Sequence, residues 1–139
     1  MTDRLAEAER IIRRPRRVLV VDDDDLFRQT LEYGFRDSDE IALTHVASGE
    51  EAIALLMDKK KFDCVILDLN LGAGRMDGVQ VFKHIRSFDK EVPVSFLTGY
   101  SDDKRFEDAK AVGWHSVQAK PVNLDELKSM ICSLVKREV

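Results

Sequence analysis

The 139-residue chain is poor in the residues that usually announce a special class of protein. Its two cysteines, Cys64 and Cys132, lie far apart in apolar segments, which excludes a disulfide framework and a thiolate metal site and leaves buried thiols as the expectation. Three histidines are scattered just as thinly. Only three prolines and seven glycines occur, and neither an internal repeat nor a low-complexity tract is present. No apolar run approaches the roughly 20 residues that cross a bilayer. The charged opening Met1–Arg17 lacks the apolar core of a signal peptide, so a soluble, cytoplasmic protein with no membrane partner is expected. An excess of positive charge is missing too: 22 Lys and Arg stand against 26 Asp and Glu, a net charge of −4 that argues against a basic nucleic-acid binder and direct DNA contact. That figure conceals a split. Residues 1–17 hold six arginines against three acids, a local +3, which leaves −7 on the other 122 residues.

What the chain does have is length for one compact domain and a regular alternation of patterns. Short runs rich in Val, Ile and Leu predict strands at Arg17–Val21, Ala42–Val46, Cys64–Leu67, Val94–Leu97 and Val117–Ala119. Continuous hydrophobicity in Val18–Val21 and Cys64–Leu67 means that both faces are covered, so these two strands belong inside the sheet. Five segments of helical period separate and follow the strands. The first is expected over Asp25–Arg36, with Asp24 or Asp25 as its cap. The second opens on a Ser48/Glu51 capping box, and the third covers Val79–Ser87. The fourth covers Asp102–Val112 and ends at Gly113, and the last is capped by Asn123 with Leu124, Leu127, Ile131 and Leu134 as its apolar stripe. Strict alternation of this kind is an α/β fold, a doubly wound five-stranded parallel sheet with helices on both faces. Residues 1–16 stand apart as a basic, amphipathic extension, with Leu5, Ala8, Ile11 and Ile12 on one face of a short helix that Pro15 ends, and residues 17–139 form the domain. The extension is expected to pack at the domain edge, with a loose tail or a basic partner site as alternatives.

In open α/β sheets a ligand sits outside the carboxyl ends of the strands. There the sequence places Asp22–Asp25 after the first strand, Asp68 after the third, Thr98 after the fourth and Lys120-Pro121 after the fifth. Any one of these acids alone reads as a solvated loop residue or a helix cap. Together they converge. Carboxylates in contact repel, and their pKa values rise unless a cation sits among them. A hard divalent ion with oxygen ligands, Mg²⁺ above all, accepts one or two carboxylates together with a phosphate. A carboxylate can also attack phosphorus, while a lysine and a hydroxyl neutralise phosphoryl oxygens. Phosphoryl chemistry is the reading that fits all of them.

These residues resemble the receiver domain of two-component response regulators, of the chemotaxis-regulator kind. The similarity runs from Arg17 to Lys136 through Val18-Leu19-Val20-Val21-Asp22-Asp23, Phe62-Asp63-Cys64-Val65-Ile66-Leu67-Asp68-Leu69-Asn70, Met76-Asp77-Gly78, Pro93-Val94-Ser95-Phe96-Leu97-Thr98-Gly99 and Lys120-Pro121. The resemblance implies a flavodoxin-like sheet of order 2-1-3-4-5. It implies that Asp68 is phosphorylated by a sensor histidine kinase or phosphotransfer protein, with Asp22, Asp23, Asp68 and the Asn70 backbone carbonyl holding Mg²⁺, or Mn²⁺ in its place. Thr98 and Lys120 become the switch pair, Gly99 the small residue that leaves access open, and Pro121 the site of a cis bond that aims Lys120 inward. Asn70 and Tyr100 flank the path of the hydrolytic water. The protein would then be no turnover enzyme but a phosphoprotein that catalyses its own phosphorylation and dephosphorylation. It would act on a protein target through the fourth helix, fifth strand and fifth helix, with a homodimer as a further option. It would be either a stand-alone module or one part of a longer regulator.

Two features depart from the family pattern. Gly72 stands where a proline is usual, and Asp77 follows Asp68 by nine residues instead of seven, which lengthens the loop through Leu71–Arg75. Val117 replaces the usual Tyr or Phe, so no ring can rotate between buried and exposed states; Trp114 is nearby, and Gln118 suits an edge strand. A phosphatase of the haloacid dehalogenase type, with its nucleophile in Asp22-Asp23-Asp24, is the alternative from another class, although its lysine should precede and not follow Asp102-Asp103. A receiver that works without phosphorylation is a third.

Overall fold

The computed structural model describes residues 4–6, 14–58, 61–71, 76–99, 116–120 and 122–136. Strands β1 (Arg16–Val21), β2 (Ile41–Val46), β3 (Cys64–Asp68), β4 (Val94–Thr98) and β5 (Ser116–Ala119) form one parallel sheet in the order β2-β1-β3-β4-β5. Four helices are described: α1 (Asp25–Phe35), α2 (Gly49–Met57), α3 (Gly78–Phe88) and α4 (Leu124–Leu134). The segment expected to be helical over 102–112 lies outside the described residues. The strands are as predicted to within one residue at each end. The expected order is found, with β1 and β3 inside the sheet and β5 at its edge.

The sheet has two dry faces because successive side chains point to opposite sides. Leu19, Val21, Val65, Leu67 and Phe96 pack with Ile53 of α2 and with Val81, Phe82 and Ile85 of α3. Val18, Val20, Cys64, Ile66 and Leu97 pack on the other side with Leu31 and Phe35 of α1 and Leu127 and Ile131 of α4. Each fully buried side chain of this size contributes roughly 1.5–3 kcal/mol relative to exposure. Phe82 and Phe96 add an edge-to-face contact at 5.3 Å between ring centroids. Burial pushes the Cys64 thiol up to about 12, so it is the inert core residue that the sequence predicts.

Local chemistry sets the helix starts. Asp24 caps α1, its carboxylate accepting from Leu26 N–H and Phe27 N–H. Ser48 caps α2 by accepting from Glu51 N–H at 3.2 Å, but Glu51 takes a bond from the Ser48 hydroxyl and does not reach the cap backbone. The reciprocal box occurs one helix later, where Asp77 accepts from Gln80 N–H and Gln80 Oε1 accepts from Asp77 N–H. Asn123 caps α4, as predicted. The Arg16 guanidinium donates to the Val135 carbonyl at 2.6 Å, tying the start of β1 to the end of α4.

The packing expected for the N-terminal extension is not found at Leu5. Residues 4–6 are helical, but Leu5 is 67% exposed; Ala8, Ile11 and Ile12 lie outside the described residues.

A methyl group would collide at Gly34, Gly49 and Gly78, and the first and last of these differ in consequence. A Cβ on Gly78 would overlap the Asp68 carbonyl oxygen and Leu69 Cα, both backbone, whereas one on Gly34 would meet only the end of the Leu124 side chain. Gly78→Ala is therefore expected to cost about 1–3 kcal/mol and Gly34→Ala clearly less. Urea unfolding of the two variants measures the difference; equal losses would show that α3 can move off the β3 backbone freely.

Candidate functional site

Three strand ends meet at one place because β1, β3 and β4 are adjacent and parallel. Asp22 follows β1, Asp68 closes β3 and Thr98 closes β4, and all three are buried. Backbone bonds hold this edge in register: Asp22 N–H donates to the Val46 carbonyl, Leu69 N–H to Leu97 and Lys120 N–H to Thr98. The last, at 2.8 Å, carries Lys120 from the end of β5 over the Thr98 peptide.

One carboxylate oxygen from each of Asp22, Asp23 and Asp68 lies within 4.8 Å of the others. The Asp22 and Asp68 side chains are aimed by local bonds. Asp22 Oδ1 accepts from Asp24 N–H at 2.8 Å, and Asp68 Oδ1 accepts from Asn70 N–H at 2.9 Å. Their second oxygens converge on Lys120, whose Nζ stands 2.7 Å from Asp22 Oδ2 and 3.1 Å from Asp68 Oδ2. The same ammonium lies 4.8 Å from the centroid of the Phe27 ring on α1.

These surroundings set the charge states. Burial pushes the Asp68 carboxyl up, and the neighbouring Asp22 charge adds to this; the Asn70 N–H and Lys120 act in the opposite sense, and the balance lies at about 6 against an ordinary 3.8. For Lys120 burial works against the charge, but the bonds and charges of Asp22 and Asp68 outweigh it and raise its pKa. The lysine supplies one positive charge among the crowded carboxylates.

A hard divalent cation suits the donor set, which is all oxygen. Asp22 Oδ2 is buried, with the Lys120 ammonium 2.7 Å away as its charged neighbour. An oxygen in that state, beside two further carboxylates, can accept a metal ion.

Gly99 is exposed, and a Cβ there would meet nothing within 4 Å, so the edge is open beside Thr98. Val117 is paired with Phe96 in the register of β4 and β5. Tyr100, Trp114, Pro121 and residues 72–75 lie outside the described residues. Sequence reasoning missed Phe27, although helical spacing from the Asp24 cap puts it on the turn facing Lys120. It also missed the apolar lip next to the site, where Leu26 is 72% exposed and, with Phe27, Thr30 and Val122, lines a hollow of about 370 Å³ that reaches Lys120.

A doubly wound α/β sheet with an acidic pocket and a lysine at its carboxyl edge narrows the class to phosphoryl- or metal-dependent signalling modules and hydrolases. The family model for the response regulator receiver domain matches residues 18–132, and the chain belongs to that family. It is 36% identical over 122 residues to the transcriptional regulatory protein PrrA of Mycobacterium tuberculosis, a match that covers 87% of this chain and 50% of that protein. The chain spans about half the length of this relative, and about a quarter of a longer one. Among solved structures, the receiver domain of Francisella response regulator 1452 is 26% identical, with a TM-score of 0.75 over 87% of this chain and 97% of that one. The receiver domain of the sensor histidine kinase PA1611 from Pseudomonas aeruginosa PAO1, which holds a magnesium ion in its active-site cleft, shares the fold with a TM-score of 0.76 at 23% identity, over 87% and 98% of the two chains. Receiver domains are signalling modules of two-component systems that interact with histidine kinases or phosphotransfer proteins, not turnover enzymes. Family membership displaces the phosphatase alternative, and so does the use of the Asp24 carboxylate as a helix cap. Among the described residues no helix is long and apolar enough to cross a membrane.

The raised Asp68 pKa has a measurable consequence. The folded carboxyl holds its proton more tightly than an unfolded one, so between about pH 4 and pH 6 the native state binds more protons and loses stability as pH rises. In EDTA, Asp68→Asn is expected to remove this component from the pH dependence of urea unfolding. Superimposable pH profiles for the two proteins would contradict it.

Proposed function

We propose that Asp68 is the phosphoryl acceptor of a two-component pathway. The observation that carries this reading is a buried Asp68 carboxylate placed between Asp22, Asp23 and the Lys120 ammonium. An Asp68 oxygen attacks phosphorus, the bond from phosphorus to the donor histidine nitrogen breaks, and the imidazole leaves with a proton from solvent. Asp22, Asp23, Asp68 and the Asn70 backbone carbonyl would hold Mg²⁺, or Mn²⁺, which when bound supplies positive charge against the phosphoryl oxygens. Lys120 then exchanges its carboxylate partners for a phosphoryl oxygen, and the Thr98 hydroxyl donates to another. Because Lys120 N–H is bonded to the Thr98 carbonyl, the two respond as one unit. Added phosphoryl charge thus shifts the β4–β5 edge without the ring that Val117 lacks. Gly99 keeps the approach open, Pro121 directs Lys120, and Asn70 and Tyr100 set the rate of hydrolysis.

Residues 17–139 form the receiver and residues 1–16 an extension to it. The downstream protein target meets the fourth helix expected over 102–112, β5 and α4, with a homodimer as a further option. The phosphodonor approaches over the apolar lip of Leu26, Phe27 and Val122, which adjoins Lys120.

Incubation with Mg²⁺ and acetyl phosphate, followed by mass spectrometry of trapped peptides, is expected to place the modification on Asp68. Asp68→Asn abolishes it, and Lys120→Gln lowers the conformational response read from the single tryptophan, Trp114, more than it lowers phosphorylation. Modification of Asp22, or none at all, would overturn the assignment. For the donor approach, Leu26→Asp is expected to slow transfer from a cognate kinase about tenfold, the effect of losing roughly 1.4 kcal/mol of interface. Transfer from acetyl phosphate should stay unchanged; equal slowing with both donors would place Leu26 in the chemistry and not in docking.

A further inference from the structure

Lys120 reaches the site on a flexible four-carbon stem, and two carboxylates alone do not decide on which side of them its ammonium rests. A third neighbour decides. The Phe27 ring on α1 faces Nζ with its centroid at 4.8 Å, inside the roughly 6 Å over which an aromatic face attracts a cation. The ammonium is thus bounded by Asp22 Oδ2 at 2.7 Å, Asp68 Oδ2 at 3.1 Å and one aromatic face.

The ring is tied to the backbone run that supplies two of the carboxylates. Asp22 Oδ1 accepts from Asp24 N–H, and Asp24 Oδ1 in turn accepts from Leu26 N–H and Phe27 N–H. One short chain of hydrogen bonds therefore places Asp22 and Phe27 relative to each other. Phe27 and Val122 also pack, half-buried, against the core between the sheet and the α1 and α4 helices. The Lys120 side chain is only 23% exposed, so solvent screens the attraction in part. Asp24, which also lines the hollow beside the ring, has its carboxylate turned to the α1 cap.

We propose that Phe27 is a positioning residue, whose ring face holds the Lys120 ammonium where it neutralises an oxygen of the phosphoryl group arriving at Asp68. This role rests on the assignment of Asp68 as the acceptor. As the new bond to phosphorus forms, Lys120 leaves a carboxylate for a phosphoryl oxygen, and the ring is the neighbour that it keeps. An aliphatic side chain would fill the same space but leave the lysine stem free to turn into the hollow of about 370 Å³ next to it.

The test compares the wild-type chain with Phe27→Leu, Phe27→Tyr and a chain carrying trifluorophenylalanine in place of Phe27, which keeps the shape of the ring and weakens the negative charge of its face. In EDTA, NMR of the ammonium and ε protons of Lys120, assigned by their loss in Lys120→Gln, is expected to show an upfield ring-current shift. Phe27→Leu removes this shift and Phe27→Tyr keeps it. With Mg²⁺ and acetyl phosphate, a donor that needs no docking surface, Phe27→Leu is expected to slow phosphorylation of Asp68 about fivefold, the trifluorinated ring about threefold and Phe27→Tyr about twofold or less. In a Lys120→Gln background Phe27→Leu should slow it no further. If Phe27→Leu fails to fold, the fluorinated chain, which removes no atom from the core, carries the rate comparison. The proposal is overturned by a wild-type chain without the ring-current shift, by full rates in both the Leu and the fluorinated chains, or by equal slowing from Phe27→Leu with and without Lys120. Each of those results leaves the acceptor assignment standing, whereas a wild-type chain that takes no phosphoryl group on Asp68 overturns that assignment and this role together.

Discussion

Two buried carboxylates beside each other are tolerable only with positive charge between them, and that constraint shapes this whole molecule. Asp22 and Asp68 share the Lys120 ammonium at 2.7 and 3.1 Å. For the three to meet, β1 and β3 must be neighbours, β4 must follow, and β5 must return Lys120 over Thr98. The parallel order of the sheet is thus required by the site as much as by the core. The lysine supplies positive charge between the two carboxylates. Removing one partner from such a buried set leaves a charge uncompensated, which costs far more than the intact set contributes.

Most of the fold was legible in the sequence because its strands are near-continuous runs of Val, Ile and Leu and its caps are single recognisable residues. Asp24 and Asn123 cap as read, and the sheet order is the one the resemblance implies. At Ser48 the motif predicted two reciprocal bonds and the structure has a shorter circuit through the hydroxyl, since a hydroxyl can both accept and donate. The Asp77–Gln80 box is hidden in the sequence because Asp77-Gly78 already reads as a family motif. Gly78 shows why that motif has its glycine: the start of α3 rests against the backbone of Asp68 and Leu69.

For the site, the identity of the residues was legible and their present partners were not. Spacing puts Asp22, Asp68 and Lys120 at strand ends, but whether a lysine meets a phosphoryl group or two carboxylates depends on what else is in the pocket. Phe27 escaped notice because an aromatic residue on an amphipathic helix reads as core. Here one face of its ring covers Lys120, so that the ammonium is flanked by carboxylates and by an aromatic surface. Such contacts across helix and sheet have no signature in local sequence.

The bond from the Arg16 guanidinium to the Val135 carbonyl joins the two ends of the folded unit. A domain attached before β1 and one attached after α4 would hang from the same corner, at the far end of β1 from Asp22. The module behaves as a pendant, able to be inserted into another chain with little separation between entry and exit. Whatever is joined there leaves the acidic edge unobstructed, and any message from that edge must travel the length of the sheet to reach it.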